Sequence, residues 1–313
     1  MPDKPQNLFA IYGALRSGTT VLRLMLDGHP ELHCPSETDF LFDHLRADAS
    51  GRVRLDREAL KLDRIYLSFL ERESLPVPQA PDVDALVSLL SRAGQSTLLV
   101  LHRNIAKALS SYPEMRIIHL LRDPRDVARS SIGMGWAGDV YHGVGHWIET
   151  ETEWRAVAPG LAGDQVLTVH YEELIGNAER ELTRICDFLG VSYRSSMLDY
   201  DARSTYSKPD PALIYQWKHK LSARDLALVE GRVGDLLEGT GYKPSGVLPH
   251  VPDSLHHILA LKLANRRAIW RTRIQRYGLR DSVLLSLANR LRIPVLAHGA
   301  KQRINEKAKA YLK

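Results

Sequence analysis

The chain has 313 residues, of which 44% are hydrophobic and 25% are charged, and its formal net charge is +5 at pH 7. These proportions are ordinary for a globular protein and exclude a disordered or disulfide-rich class. Residues 250–313 contain 14 basic and 3 acidic residues, so the remainder of the chain is acidic on balance. The basic character therefore belongs to the C-terminal segment and not to the larger part of the chain.

Cysteine content and hydropathy predict where the protein works. The chain has two cysteines, Cys34 and Cys186, which form no disulfide framework and favour a reducing compartment. The first residues lack the cationic start and apolar core of a secretory signal, and no apolar run approaches the roughly 20 residues that span a bilayer. We therefore expect a cytoplasmic protein.

The stretch from Leu8 to Leu26 predicts a strand, a loop and a helix. An apolar run at residues 8–12 precedes a loop bounded by Gly13 and Gly18, and apolar residues at helical spacing follow the loop. Backbone N–H groups at a helix N-terminus attract anions, and glycines let the backbone approach closely. This layout predicts a phosphate-binding loop.

The loop departs from the P-loop of nucleotide triphosphatases at one position. Its two glycines fit the spacing G-x-x-x-x-G-K-[ST], but Thr19 stands where the lysine should be, and Arg16 is the cation of the loop. We therefore expect the loop to bind an anion without supporting ordinary ATP chemistry. A plain glycine-containing turn between a strand and a helix is the structural alternative.

The run R-S-G-T-T, followed by M-L-D-G-H-P, resembles the 5′-phosphosulfate loop of sulfotransferases that use 3′-phosphoadenosine 5′-phosphosulfate (PAPS). Within that family it is most similar to the branch of tyrosylprotein and carbohydrate sulfotransferases. The resemblance implies a P-loop-type, three-layer α/β fold with a central, mostly parallel sheet. It assigns the 5′-phosphosulfate to Arg16, Ser17, Gly18, Thr19 and Thr20.

A candidate general base follows the first helix. Residues 32–34 predict a short strand, and Glu37 comes soon after it, near the sheet edge at which open α/β folds bind ligands. The resemblance implies that Glu37 takes the proton of the attacking acceptor hydroxyl. A carboxylate favoured by the dipole of a helix N-terminus is the structural alternative.

The next segment is expected to be a helical insertion, at about residues 39–95, within a sulfotransferase domain that covers residues 1–248. The apolar run at 97–101 then predicts a buried strand that ends at His102 and Arg103. Many family members have a lysine here that faces the sulfuryl group. We expect Arg103 to replace that lysine, and His102 is a second candidate base.

A second motif begins with the apolar run at residues 117–121, which predicts another buried strand. The strand ends in Arg122, where a P-loop triphosphatase would usually carry a magnesium-binding aspartate. The resemblance implies that Arg122 and Ser130 bind the 3′-phosphate of PAPS, which a guanidinium can hold through two hydrogen bonds. An Arg-Asp pair that caps a helix is the structural alternative.

Three further residues are assigned by the resemblance. Tyr171 follows a predicted strand at 166–169 and matches a tyrosine that lies near the adenosine. Residues 203–218 resemble the loop that closes over bound PAPS, in which Ser204 would contact the transferring group and Lys208 the phosphates. A solvated surface loop is equally compatible with Lys208. No metal is expected, because no convincing set of ligands is present.

Residues 249–313 predict a basic helical extension. Ser254 is expected to cap a helix that ends at Gly278, and a second helix should run from Asp281 to Arg292 before Pro294. Such a module could bind anionic lipid or an acidic partner, or pack as a helical cap or a homodimer contact. No motif that reads nucleic acid is present, so a nucleic-acid partner is not expected.

The sequence therefore predicts a PAPS-dependent sulfotransferase (EC 2.8.2 type) that transfers the sulfuryl group to a hydroxyl of a carbohydrate, glycolipid or other small molecule and releases 3′,5′-ADP (PAP). A protein tyrosine is the alternative acceptor. A P-loop kinase or triphosphatase is the alternative of another class, which Thr19 and Arg122 disfavour. A non-catalytic adaptor that binds nucleotide or membrane is the third hypothesis. In the enzyme, Arg16 would offset the charge of the leaving phosphate.

Overall fold

A computed structural model describes residues 7–47, 53–79, 81–208 and 210–291, together with residues 299, 303, 304 and 307. Its main sheet has five parallel strands, β1 (Leu8–Tyr12), β2 (Leu32–His33), β5 (Ser96–Leu101), β6 (Arg116–Leu121) and β7 (Val166–His170). Across the sheet they lie in the order β2-β5-β1-β6-β7. They confirm the predicted strands, because near-continuous apolar runs are typical of parallel strands that are covered on both faces.

Helices and a small hairpin connect and cover these strands. In chain order they are α1 (Thr19–Leu26), α2 (Phe40–Asp43), β3 (Leu45–Ala47), β4 (Val53–Leu55), α3 (Arg57–Leu60), α4 (Arg64–Arg72), α5 (Val83–Leu90), α6 (Ile105–Ser111), α7 (Pro124–Met134), α8 (Val140–Gly143), α9 (Gly145–Val157), α10 (Tyr171–Gly176), α11 (Ala178–Leu189), α12 (Trp217–Lys220), α13 (Ala223–Val233), α14 (Leu236–Gly239), α15 (Leu255–Tyr277) and α16 (Leu279–Leu291). Short 3-10 turns occupy 158–160, 195–198, 200–203 and 211–213.

The chain divides into two compact units. The first unit comprises residues 1–123 and 146–215, and the second comprises residues 124–145 and 216–313. The sequence-based boundary at residue 248 therefore differs from this division, in which a middle segment joins the C-terminal helices.

The first unit is a three-layer α/β fold. Successive side chains of a strand point to opposite faces of the sheet. Ala10 and Tyr12 pack with helices α2–α6 and α9 on one face, whereas Phe9 and Ile11 pack with α1, α10 and α11 on the other. This confirms the predicted fold class.

The second unit has its own core and a buried ion pair. Arg125 Nη1 donates to Glu230 Oε1 at 2.7 Å, and the Arg125 guanidinium stacks 3.6 Å from the centre of the Trp217 ring. Both charged side chains are almost fully buried. Removal of either partner would leave the other charge unpaired in a low-dielectric interior.

Two details of the predicted secondary structure are wrong. The segment expected to be helical contains the antiparallel hairpin β3–β4, because three-residue strands are too short to show a period in the sequence. Helix α16 begins at Leu279, directly after the Gly278 that ends α15, and not at Asp281. Arg292 and Pro294 lie outside the described residues.

Within the described ranges, the helices are either too short or too polar to span a bilayer.

Helix α15 packs closely against a glycine-rich segment of the second unit. The amide of Gly138 donates to Asn265 Oδ1 at 2.6 Å. A Cβ on Gly138 would lie 2.5 Å from Ala268 Cβ and 2.8 Å from the Asn265 carbonyl oxygen. The approach of the two backbones therefore depends on the absence of a side chain at this position.

We expect Gly138→Ala to lower the free energy of unfolding by about 1–3 kcal/mol, because the added methyl overpacks the contact with α15. Gly133→Ala is the matched control, since a Cβ at Gly133 meets no described atom within 4 Å. It should be neutral or slightly stabilising within helix α7. Urea denaturation measures both effects, and equal stabilities for the two variants would contradict the packing argument.

Candidate active site

The loop after β1 has the geometry of an anion-binding turn. Gly18 adopts a left-handed backbone conformation with φ +95°, directly before the first residue of α1. A Cβ on Gly18 would overlap the ring of Tyr171, so only glycine fits here. Arg16 also has a positive φ, of 72°. These turns present backbone N–H groups and the positive end of the α1 dipole at the loop.

Two buried polar atoms of this region have no hydrogen-bond partner among the described residues. They are Ser17 Oγ and Arg122 Nε. Buried polar groups are nearly always hydrogen-bonded, and an orphaned one requires an explanation. Both are hydrogen-bond donors, and phosphate and sulfate oxygens can accept hydrogen bonds from them. The residues present therefore fit the phosphate and sulfate groups that the sequence analysis assigned to them.

Arg122 lies beside the loop. Its Nη1 donates to the carbonyl oxygen of Arg16 at 2.9 Å, and its Nη2 donates to the carbonyl oxygen of Leu213 at 3.4 Å. The guanidinium stands 4.4 Å from the centre of the Tyr171 ring. Thus the structure brings Arg16, Arg122 and Tyr171 together, all three of which were predicted site residues.

Arg16 carries a charge that its surroundings disfavour. Burial lowers the pKa of Arg16, and the nearby charge of Arg122 lowers it further, while Tyr206, Tyr171 and Glu37 oppose this shift. Two neighbouring cations, one of them largely desolvated, raise the electrostatic potential of the loop. Such a site favours a multiply charged anion.

Glu37 follows β2 and is half-buried. Its backbone forms an isolated parallel bridge with Val100 of β5. The charge of Glu37 acts on Arg16, so the carboxylate lies within electrostatic range of the loop. A carboxylate at the carboxyl ends of the strands, near the anion loop, is suitably located to accept a proton.

His102 is held in a buried chain of polar side chains on the other side of the loop. Its Nδ1 lies 2.7 Å from Asp39 Oδ2, and its Nε2 lies 3.1 Å from the hydroxyl oxygen of Thr19. The backbone N–H of His102 also donates to Asp39 Oδ1 at 2.8 Å. Thr19, His102 and Asp39 therefore form one connected network at the N-terminus of α1.

Arg103 is engaged with a carboxylate. Its Nε donates to Asp43 Oδ1 at 2.8 Å, which raises the pKa of Arg103, and its Nη1 lies 3.9 Å from Asp39 Oδ2. The guanidinium therefore stabilises the acidic cluster beside His102. The predicted role of Arg103, as a substitute for the lysine of other family members, would require it to serve a second group from this position.

The remaining predicted residues lie on separate segments. Ser204 Oγ accepts from the backbone N–H of Tyr206 at 3.2 Å, and Lys208 is exposed on the same loop of the first unit. Thr20 lies in the first turn of α1. Ser130 lies on α7 in the second unit, and its assignment to the 3′-phosphate stays a prediction from the sequence.

Asp39 is the residue of this region that the sequence analysis missed. It fixes His102 although the two residues are 63 positions apart. A clue was available, since an acidic residue that follows a predicted strand by a few positions lies at the ligand-binding edge of a parallel sheet. Among the described residues, no three His, Cys, Asp or Glu side chains are grouped to hold a metal ion.

Comparisons with known proteins agree with this geometry. A sequence model described as "Sulfotransferase family" matches residues 9–195. The chain therefore belongs to the sulfotransferase family. This confirms its recognition as a sulfotransferase and its assignment to that class of enzyme. The kinase or triphosphatase hypothesis loses its basis, in line with Thr19 and Arg122.

Individual relatives are distant. Protein-tyrosine sulfotransferase 1 of Danio rerio is 25% identical over 213 residues, which are 64% of this chain and 57% of that protein. Protein-tyrosine sulfotransferase 2 of Gallus gallus is 24% identical over 64% of this chain and 55% of its own length. The match thus spans little more than half the length of these curated relatives.

A solved structure shares the fold. The sulfotransferase domain from the Synechococcus PCC 7002 olefin synthase superposes with a TM-score of 0.58 and is 22% identical. The superposition covers 75% of this chain and 98% of that domain. It supports the α/β fold of the first unit.

Asp39→Asn should destabilise the protein in a pH-dependent manner. Burial opposes ionisation of Asp39, but its pairing with His102 and Arg103 outweighs burial and lowers its pKa. A carboxylate with a lowered folded-state pKa stabilises the fold at pH values above about 4 and loses this contribution as the pH falls through the folded-state pKa. We expect a loss of about 3 kcal/mol at pH 7 that shrinks on acidification.

Urea denaturation of both proteins at several pH values measures this difference. Asp187→Asn is the control, because Asp187 is exposed and should change stability by less than about 0.5 kcal/mol. A pH-independent difference would contradict an ionised Asp39 carboxylate with a lowered pKa.

Proposed function

We propose that the chain transfers the sulfuryl group of PAPS to the phenolic hydroxyl of a tyrosine in a protein or peptide, with release of PAP. The observation that carries the donor part of the proposal is the hydrogen bond from Arg122 to the Arg16 carbonyl oxygen at 2.9 Å. This bond holds Arg122, which is assigned to the 3′-phosphate, beside the loop that contains Arg16, which is assigned to the 5′-phosphosulfate. Family membership supports the reaction class.

Each donor residue has a defined task in this proposal. Ser17, Thr19 and Thr20, together with the N–H groups at the start of α1, bind the 5′-phosphosulfate. Arg16 offsets the charge that grows on the leaving phosphate, and Arg122 binds the 3′-phosphate. Tyr171 packs between Gly18 and Arg122 and fixes both elements. Ser130, Ser204 and Lys208 are further donor contacts in this proposal.

The acceptor reacts through its hydroxyl oxygen. Glu37 accepts the hydroxyl proton as the oxygen forms a bond to sulfur, and the bond from sulfur to the phosphate oxygen breaks with its electron pair passing to PAP. The protein contributes position and charge more than covalent chemistry, because the attacking and leaving oxygens must be in line.

The choice of a tyrosyl acceptor changes the leading expectation from the sequence, which was a carbohydrate, glycolipid or other small molecule. The two relatives compared above are both named protein-tyrosine sulfotransferases. Their low identity supports a tyrosine acceptor only as a proposal.

The first test compares the binding of three nucleotides. A thermal-shift titration with PAP, ADP and ATP should show stabilisation by PAP at lower concentrations than by the other two, because PAP alone has a 3′-phosphate for Arg122 to bind. Tight magnesium-dependent ATP binding with weak PAP binding would overturn the proposal.

Glu37→Gln separates catalysis from donor binding. We expect turnover to fall about 100-fold or more, since the amide cannot accept the acceptor proton, while PAP affinity stays within about threefold of the wild type. Transfer of labelled sulfate from PAPS to tyrosine-containing peptides, with a carbohydrate mixture in parallel, measures activity.

Glu58→Gln is the matched control, because Glu58 is exposed on α3, where its carboxylate pairs with Lys61 on the surface. Full activity in Glu37→Gln would remove Glu37 as the base. Absence of transfer by the wild type would instead favour a non-catalytic adaptor. Label in the carbohydrate fraction alone would overturn the tyrosine acceptor.

A further inference from the structure

The imidazole of His102 connects a buried carboxylate to the anion loop. Asp39 lies 2.7 Å from His102 Nδ1, and the hydroxyl of Thr19 lies 3.1 Å from His102 Nε2. All three residues are at least 96% buried. Burial therefore shields the hydrogen bonds of this network from solvent.

Hydrogen-bond chemistry permits two states of the network. The Asp39 carboxylate only accepts, so Nδ1 carries a hydrogen. If the ring is neutral, Nε2 accepts the hydroxyl hydrogen of Thr19, and the oxygen lone pairs of Thr19 face the loop. If the ring is protonated, Nε2–H donates to Thr19, and the hydroxyl hydrogen is free to bond an anion. An anion at the loop therefore favours the protonated ring.

Charged groups of both signs lie around the ring. Asp39 Oδ2 contacts Nδ1, and Arg103 Nη1 lies 3.9 Å from the same Asp39 oxygen. His146 on α9 also faces this group, and burial is the main cause that lowers its pKa. A bound anion adds negative charge beside Arg16, on the Thr19 side of the ring, and a negative charge near an imidazole favours its charged form.

We propose that His102, held by Asp39, sets the direction of the Thr19 hydroxyl, and that the loop takes up a proton on His102 when it binds the 5′ anion of its nucleotide. This inference rests on the proposed function, because it requires the loop to be the 5′-phosphosulfate site. His102 is a positioning residue here, since it acts on the anion through Thr19.

Proton uptake is measured by titration calorimetry with PAP at pH 8 in Hepes and in Tris, which both buffer at this pH and have different ionisation enthalpies. The phosphates of PAP are already ionised at this pH. We expect up to about one proton taken up per PAP, and an affinity that falls by up to about tenfold per pH unit above neutrality.

Three variants test the route through Thr19. His102→Gln donates to Thr19 from an amide that does not titrate, so PAP should bind without proton uptake. Thr19→Val should also lose the uptake, whereas Thr19→Ser keeps the hydroxyl and should retain it. PAP binding with no uptake, or unchanged uptake in His102→Gln, would overturn this inference alone. Failure of the wild type to bind PAP would overturn the proposed function as well.

A second inference comes from helix α15 in the second unit, which buries one leucine and exposes three others. On its inward face Ala268 and Asn265 meet Gly138, and Arg276 donates to the carbonyl oxygen of Met134 at 2.7 Å. Leu261 is the leucine that α15 buries.

Three other leucines of α15 are exposed. Leu255, Leu259 and Leu263, spaced four residues apart, are 68%, 47% and 55% exposed. Arg266 and Arg267 continue the same face and are also exposed. The helix has no acidic residue, so nothing along it offsets the arginines.

The following helix adds no free negative charge. Asp281, the acidic residue of α16, forms ion pairs with Arg303 and Lys307 at 2.8 and 3.0 Å. An exposed mixture of leucine and arginine is typical of helices that lie in the interface of an anionic membrane.

We infer that the outward face of α15, defined by Leu255, Leu259, Leu263, Arg266 and Arg267, binds the surface of a membrane that contains anionic lipids. Leucine side chains enter the boundary between headgroups and acyl chains, while the arginines pair with lipid phosphates.

Sedimentation of the full chain with vesicles tests this inference. The protein should pellet with vesicles that contain phosphatidylserine, weakly with pure phosphatidylcholine, and less at high salt. Leu259→Glu and Arg266→Ala combined with Arg267→Ala should each weaken binding by about tenfold or more. Leu62→Glu is the control, because Leu62 is 82% exposed and lies outside the second unit.

Two results would overturn the membrane surface. One is equal sedimentation of the wild type with and without phosphatidylserine. The other is the absence of vesicle binding together with a concentration-dependent dimer that Leu259→Glu abolishes, which would assign the face to a second copy of the chain.

Discussion

The hydrogen bond from the Arg122 guanidinium to the carbonyl oxygen of Arg16 joins the end of β6 to the loop after β1. It depends on the parallel pairing of these two strands, which places their carboxyl ends side by side. The Nε atom of Arg122 is buried and has no hydrogen-bond partner among the described residues. Burial and the charge of Arg122 both lower the pKa of Arg16. The two cations are thus held together at a cost that a bound anion offsets.

The same strand order explains the other side of the site. Strand β1 lies between β5 and β6, so the anion loop receives His102 from the end of β5 and Arg122 from the end of β6. Through His102, the buried Asp39 is linked to Thr19 at the first turn of α1. Positive charge and a proton-carrying network therefore flank the loop. An enzyme that stabilises a leaving phosphate needs both a favourable field and fixed donors.

The second unit is held together by contacts of its own. A buried ion pair between Arg125 and Glu230 fixes α7 to α13, and glycines allow α15 to approach the segment 133–138. Leu261 of α15 is buried, whereas Leu255, Leu259 and Leu263 lie on its exposed face. The surface that we assign to lipid is therefore the face of α15 that turns away from the segment 133–138.

Local sequence determined the strands, the anion loop and the family, because apolar runs and the R-S-G-T-T motif act over a few consecutive residues. It also identified Arg16, Arg122 and Tyr171, which the structure brings together. Tertiary structure alone decided that Asp39 holds His102, that Arg103 pairs with Asp43, and that β3 pairs with β4. These features join positions that are distant along the chain or too short to show a period, so their energy depends on contacts that no local pattern encodes.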